Sequence, residues 1–258
     1  MPIMGMTTYE LLGVRVNPVT AGELLQIICD AIAGDRRIVI GNHNLHSLYL
    51  VRHDHEMRGF FADADLAYID GMSLILSGKV LGLPLKRSQR VTFLDVVDTF
   101  MQDAAANGWR LFFLGAKPGV AERAASRIRE HCTGIILETS DGYFDAAPAS
   151  AENRAVIAQI RAFRPNVVLV GMGMSRQEYW VLNHRHEVDA NVTIVLGGIF
   201  DYLSGDIPTP PRRIGQIGFE WLFRLCCEPR RLWRRYLVEP WFLLILLAKD
   251  IARRGRRS

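Results

Sequence analysis

The 258-residue chain is short of paired cysteine, of long apolar runs and, towards its end, of acidic charge. Each shortage removes a class of protein. The four cysteines, Cys29, Cys132, Cys226 and Cys227, form no CxxC pair. Adjacent cysteines rarely bridge, so neither a disulfide framework nor a zinc site is indicated, and reduced surroundings fit. No basic stretch followed by an apolar run opens the sequence, so a secretory signal is not expected. The longest late apolar run covers residues 241–248, eight residues in all. A bilayer span needs roughly 20, so this run can lie on a membrane but not cross one. Disorder over most of the length is excluded by a hydrophobic content of 49% with 22% charged residues. That composition supports a sizeable core.

Charge is unevenly distributed. Residues 212–258 carry twelve Lys/Arg against four Asp/Glu, whereas the preceding 211 residues carry nineteen against twenty-three. The net +4 of the chain therefore belongs to its tail, which points to an anionic partner: a membrane surface, a diphosphate or nucleic acid.

The first two hundred residues alternate short β-rich runs with helical patterns, which predicts an α/β fold with a Rossmann-like parallel sheet and flanking helices. Strands are read at residues 37–41, 65–70, 109–115, 166–170 and 192–196, and helices at 94–106, 120–131, 151–163 and from Gln177 onward. Composition changes near Ile207. Pro208, Pro210 and Pro211 forbid regular structure there, which gives a linker over residues 208–213. The expected division is a core of residues 1–207 and a membrane-associating appendage of residues 208–258. The appendage is amphipathic, basic and helical, with a break at Pro229.

Ligands of parallel α/β sheets bind where the carboxyl ends of strands meet helix N-termini. Four candidate strands end in polar or glycine residues: Asn42 and Asn44, Asp70, Gly115 to Gly119 with Lys117, and Gly171 and Gly173 leading to Gln177. The Gly115–Lys117 turn fits either a nucleotide-diphosphate cradle or a plain connection. Asp70, followed by glycine, fits either a general base for a hydroxyl or the cap of a helix starting near Met72. Gln177 and Glu178 fit either a ligand-binding pair or ordinary dipole chemistry at a helix start. His43 and His46, His53 and His55, and His184 and His186 lack a completing carboxylate or cysteine, so they read as solvated surface residues and no metal site is expected. In the tail, Arg224, Arg231 and Arg234 have spacings of seven and three, which share one helical face, with Arg230 and Arg235 alongside. Arginine forks suit a diphosphate, and the interleaved Trp221, Trp233 and Tyr236 suit a bilayer interface.

At these residues the chain resembles the WecG/TagA/CpsF glycosyltransferases, glycosyltransferase family 26, over nearly its whole length. The resemblance is carried by Asp70-Gly71, by the segment from Arg90 to Asp95, by Gly171 to Trp180, and by Glu220 to Arg231, which matches a Glu-Trp-x-x-Arg-Leu-x-x-Glu-Pro-x-Arg pattern position by position. It implies inverting, metal-independent transfer, without a cofactor, from a UDP-sugar to an undecaprenyl-diphosphate-linked sugar. The enzyme would act as a peripheral protein at the cytoplasmic face of a bacterial inner membrane. Carried over, Asp70 is the base, and Asn42, Asn44, Arg90, Gln177 and Glu178 serve the substrate pocket. Arg224, Arg231 and Arg234 engage diphosphate. A homo-oligomer is compatible with this picture.

Three departures from the family pattern fall near the expected sugar pocket. Asn42-His43-Asn44 replaces Thr-x-Asn, Phe93 replaces a glycine, and Thr209-Pro210-Pro211 replaces Arg-Ala-Pro. They direct the expectation towards UDP-glucose and exopolysaccharide synthesis. The alternative is an N-acetylmannosamine or N-acetylmannosaminuronate transferase for teichoic acid or enterobacterial antigen. A basic nucleic-acid-binding protein or a noncatalytic membrane adaptor is the reading from another class. Trp233, Trp241 and the aliphatic residues 243–247 fit lipid better than phosphodiester, so no nucleic acid is expected as partner.

Overall fold

The protein is described by a computed structural model, which covers residues 5–209 and 220–255. A hairpin of β1 (Tyr9–Leu11) and β2 (Val14–Val16) leads into α1 (Ala21–Ala33), whose start is fixed by a reciprocal cap between Thr20 and Glu23. The sheet strands are β3 (Ile38–His43), β4 (Leu66–Ile69), β5 (Arg110–Gly115), β6 (Ile136–Ser140), β7 (Val167–Gly171) and β8 (Val192–Val195). All pair in parallel, in the order β4-β3-β8-β7-β5-β6. The predicted parallel α/β sheet is therefore present. Because both faces are covered, the central strands β5 and β7 are almost wholly apolar and successive residues feed opposite layers. Leu111 and Phe113 join one core cluster with α1 and α5, while Phe112 and Leu114 join the other.

Between strands run α2 (Leu45–His53), α3 (His55–Asp63), α4 (Met72–Val80), α5 (Phe93–Ala106), α6 (Val120–His131), α7 (Ala151–Phe163), α8 (Arg176–His184) and the short α9 (Ile199–Leu203). Helices α6 and α7 have the bounds read from the sequence. Others were not anticipated: α1 to α3, α9, the β1–β2 hairpin and the edge strand β6; for α4 only a start near Met72 was read.

The tail comprises α10 (Glu220–Cys227), α11 (Pro229–Leu237) and α12 (Glu239–Gly255). Pro229 takes the first turn of α11, where its missing N–H costs nothing, and so separates two helices as expected. Residues 210–213 of the anticipated linker lie outside the described residues. No described helix is long and apolar enough to cross a membrane. Instead α12 divides its apolar residues. Leu243 is buried, with Leu246 and Leu247 packed on the second core cluster, whereas Trp241, Leu244 and Ile245 are exposed. Phe242 packs edge-on against Tyr49 of α2, ring centroids 5.3 Å apart.

Candidate active site

One cavity of about 560 Å³ opens at the carboxyl ends of β3, β4 and β8. Its volume suits a small-molecule substrate. Period-two alternation explains its floor. Asn42 of β3 lies opposite Tyr68 of β4 in the register, and two residues further on come Asn44 and Asp70; all four line the cavity. The ladder is prolonged past the strand end by the Asp70 N–H, which donates to the His43 carbonyl at 2.8 Å.

Asn42 is buried, and its amide donates to the Val195 carbonyl at 2.8 Å, which ties it across to β8. Asn44 is the N-cap of α2: its side-chain oxygen accepts from the Ser47 N–H at 3.1 Å. The cap uses one lone pair of that oxygen, and the amide N–H₂ of Asn44 remains for a ligand. Asp70 does not cap α4. The N-cap position falls one residue later, on Gly71, where no side chain caps the helix. The cap reading of Asp70 is thereby corrected, because the chain turns into the helix only after the glycine. Tyr68 is buried, and its pKa is pushed well above the ordinary value by burial and then by the nearby Asp70 charge. It therefore remains a neutral phenol.

The N-termini of α2 and α5 border this floor, with Thr92, Phe93 and Leu94 at the entrance to α5. Converging helix starts favour an anionic ligand. Gly173, Met174, Gly197 and Gly198 form the wall beyond β7 and β8. The tail supplies the remaining side: Leu232, Arg234, Arg235, Tyr236 and Val238 of α11 and its end, and Glu239 and Phe242 of α12. Arg234 lies 5.9 Å from the Trp233 ring and Arg235 5.8 Å from the Tyr236 ring, which helps to orient both guanidiniums. The side chains of Arg224 and Arg231 lie outside the described residues.

Other candidates are placed beside the cavity and not in its lining. The Arg90 backbone bridges Ile69 at the end of β4, and its guanidinium lies 3.4 Å from Asp95. Gln177 and Glu178 are fully buried behind the wall. Gln177 Oε1 accepts from the Gly197 N–H at 2.9 Å, and its Nε2 donates to Glu178 Oε1 at 2.8 Å. Burial raises the Glu178 pKa to about 7, with the Gln177 hydrogen bond opposing that rise. Gln177 thus shapes the glycine loop that the cavity uses. Gly115 and Gly171 press their strands together: a Cβ on Gly115 would stand 2.3 Å from the Gly171 carbonyl oxygen, and one on Gly171 would meet Phe200 at 2.7 Å. Lys117 is exposed. This loop turns back onto Gly171 and Gly142 through backbone hydrogen bonds of 2.9 Å and does not border the cavity.

The histidines are less uniform than expected. His53, His55 and His186 are exposed, but His43 and His184 are buried. The surface reading fails for these two because both rings pack inside the fold, each with a polar side chain at hydrogen-bonding distance. His43 stacks on Phe61 at 3.8 Å with Nδ1 against Ser47, and His184 bridges Asn153 and Glu187. His46 lines the cavity and pairs with Glu239 at 2.8 Å. The sequence reading missed Glu239, Phe242 and Tyr202 as lining residues; nothing in their spacing signals that α12 returns to α2.

The decisive comparison is with the glycosyl transferase WecG/TagA/CpsF family, whose model matches residues 9–257. The chain belongs to that family. The protein is thus a WecG/TagA/CpsF-type glycosyltransferase, and the cavity at the end of β4 is its candidate active site. Among curated relatives, the chain is 31% identical over 192 residues to the N-acetylglucosaminyldiphosphoundecaprenol N-acetyl-β-D-mannosaminyltransferase of Bacillus spizizenii. That match covers 74% of this chain and 71% of the relative.

Proposed function

We propose that this glycosyltransferase moves a sugar from a nucleotide-diphosphate donor onto a sugar carried by a polyprenyl diphosphate, with Asp70 as the base. The observation that carries the reading is the single cavity in which Asp70 and the Asn44 amide lie together with Arg234 and Arg235 of the tail. In this reaction the Asp70 carboxylate takes the proton of the acceptor hydroxyl. The freed oxygen bonds to the anomeric carbon from the face opposite the leaving group, and the bond from that carbon to the diphosphate oxygen breaks. The diphosphate leaves with the electron pair, and its added charge is met by arginine and by helix N-termini. Attack from the opposite face inverts the anomeric centre. No step calls for a metal ion, because arginine supplies the positive charge.

For the donor, the relative's activity favours N-acetylmannosamine over glucose, so the glucose reading gives way to its alternative. Two of the departures that suggested glucose, Asn42 and Phe93, do line the cavity. They are the positions at which donor preference can be altered. Acceptor delivery fits a peripheral position on a membrane: Trp221, Trp233 and Trp241 are exposed on the basic tail beside Leu244 and Ile245. The position of Arg234 and Arg235 in the lining of the cavity favours catalysis over a nucleic-acid-binding role.

The test is transfer from UDP-N-acetylmannosamine and UDP-glucose to diphosphate-linked N-acetylglucosamine bearing a short polyprenyl chain, read by mass spectrometry. Asp70→Asn should lower turnover by roughly 10²–10⁴-fold, the usual contribution of a general base. Near-normal turnover in that variant removes Asp70 from the mechanism. Glucose transfer alone restores the glucose reading.

A further inference from the structure

One polar side chain bordering the cavity is only half satisfied. Glu239 opens α12 and is 7% exposed. Its Oε1 meets His46 Nδ1 at 2.8 Å, while Oε2 is buried with no hydrogen-bond partner among the described residues. A carboxylate accepts at both oxygens, and leaving one out of water without a donor is destabilising. The hydrogen bond with His46 accounts for one oxygen only. Because both residues border the cavity, the missing donor can come from what the cavity holds, once the carboxylate turns towards it.

Position narrows the choice of ligand. His46 lies in the first turn of α2, two residues after Asn44. Asn44 packs on Gly71: a Cβ built there would stand 3.4 Å from the Asn44 Cα. Gly71 directly follows Asp70. The His46–Glu239 pair therefore follows the strand next to that of Asp70 and borders the same cavity. The group treated by Asp70 is the acceptor hydroxyl, and the sugar bearing it offers further hydroxyls close by.

We infer that Glu239 is a specificity residue for the acceptor sugar: Oε2 accepts a hydrogen bond from a hydroxyl next to the reacting one, and His46 holds the carboxylate for it. The inference rests on the reading of Asp70 as base for a lipid-linked sugar. Chemically it is the arrangement that discriminates best, because an acceptor lacking that hydroxyl leaves a buried carboxylate oxygen unpaired. Glu239 also lies in the helix after the arginines of α11. The tail would thus recognise the acceptor as well as close over it.

The experiment uses the full-length protein with diphosphate-linked N-acetylglucosamine on a short polyprenyl chain, and with analogues deoxygenated singly at each hydroxyl other than the reacting one. Glu239→Gln should raise the acceptor KM roughly ten- to a hundredfold and leave the donor KM within about twofold, as expected for losing a hydrogen bond to a charged group. One deoxy acceptor should be poor for the wild type yet be used equally well by wild type and variant. Loosening of the tail would instead lower activity on every acceptor by one factor, and that result overturns the inference. Glu239→Asp, which keeps the charge, should recover part of the selectivity. An unchanged acceptor KM in Glu239→Gln also overturns it. If the wild type transfers no sugar to any lipid-linked acceptor, the proposed function falls and this inference with it.

Discussion

Behind the cavity two fully buried titratable side chains respond to pH in opposite senses. Burial raises the Glu178 pKa to about 7, above the ordinary 4.5. Its contribution to stability is fully present below about pH 4.5, where folded and unfolded chains both hold the proton. It is lost as pH rises through 7, because only the unfolded chain ionises freely over that window. A separation of this size is worth on the order of 3 kcal/mol. His43 is the reverse case. Burial, assisted by the Arg15 charge, holds its pKa down at about 3 against 6.5, so its contribution is lost as pH falls from about 6.5 towards 3. Glu178→Gln keeps an acceptor for the Gln177 amide and cannot ionise. Its melting temperature should therefore fall less between pH 5 and pH 8 than that of the wild type, as followed by circular dichroism. Equal falls would show that Glu178 ionises without penalty. The same residue tests the Gly197 loop, since Glu178→Leu removes the partner that orients Gln177. We expect Glu178→Leu to lose activity at all pH values and Glu178→Gln to retain it.

At the scale of elements, the contact between β5 and β7 is the tightest constraint near the site. Gly115 combines a φ of 151° with a carbonyl 2.3 Å from where a Cβ would stand, and that carbonyl belongs to the backbone of a buried strand. Gly115→Ala should cost at least about 2 kcal/mol, the sum of backbone strain and displaced packing. Gly108 provides the control, with φ of 65° but open space around it; Gly108→Ala should cost only about 1 kcal/mol. Comparable urea midpoints for the two variants would show that β5 and β7 separate easily. These glycines also show what the sequence conveyed and what it did not. A strand followed by Gly-x-Lys-x-Gly reads equally as a phosphate cradle or as a close strand contact, and only the distance to Gly171 separates them. Strands β5 and β7 were legible because both faces are buried, which makes them continuous apolar runs. Strand β6 was not: it lies at the sheet edge with Ile136 exposed and three half-buried positions, so its pattern is weak. Helix α4 shows no apolar face by periodicity, since Leu76 and Val80 point outward while Leu74 and Ile75 are buried. Asp70 and Asn44 could be found from their strand ends; Glu239 could not, because its role depends on α12 returning across two helices.

For the whole molecule, the proposed function raises the question of how a cavity built from the sheet would obtain an acceptor whose lipid stays in a bilayer. The tail answers by having two sides. Leu232 and Leu243 are buried on one side, and Arg234 and Arg235 border the cavity although Arg234 is exposed; Trp233, Leu237, Trp241, Leu244 and Ile245 are exposed on the surface. Large apolar groups interleaved with arginine suit an anionic interface, where aromatic rings settle at headgroup depth and cations gain roughly 1 kcal/mol each. The same helices would then bring the cavity to the diphosphate, which lies at the headgroup level. We expect the full chain to float with vesicles containing anionic phosphatidylglycerol and to be partly released as salt rises, since screening weakens the charges but not the apolar contacts. Replacing Trp241 and Ile245 together by serine should reduce vesicle binding at least tenfold, given the apolar area withdrawn from the membrane. Their side chains are exposed, so the melting temperature should hold. Activity then separates the two roles of the tail. On a water-soluble acceptor with a short chain, Trp241→Ser/Ile245→Ser should remain near wild type, because Arg234, Arg235 and Glu239 still reach the cavity. On acceptor embedded in vesicles it should fall with binding. A chain ending at residue 207 should fail on both acceptors, because it lacks the arginines as well as the anchor. Full activity of that shortened chain on embedded acceptor would show that the sheet alone makes the site.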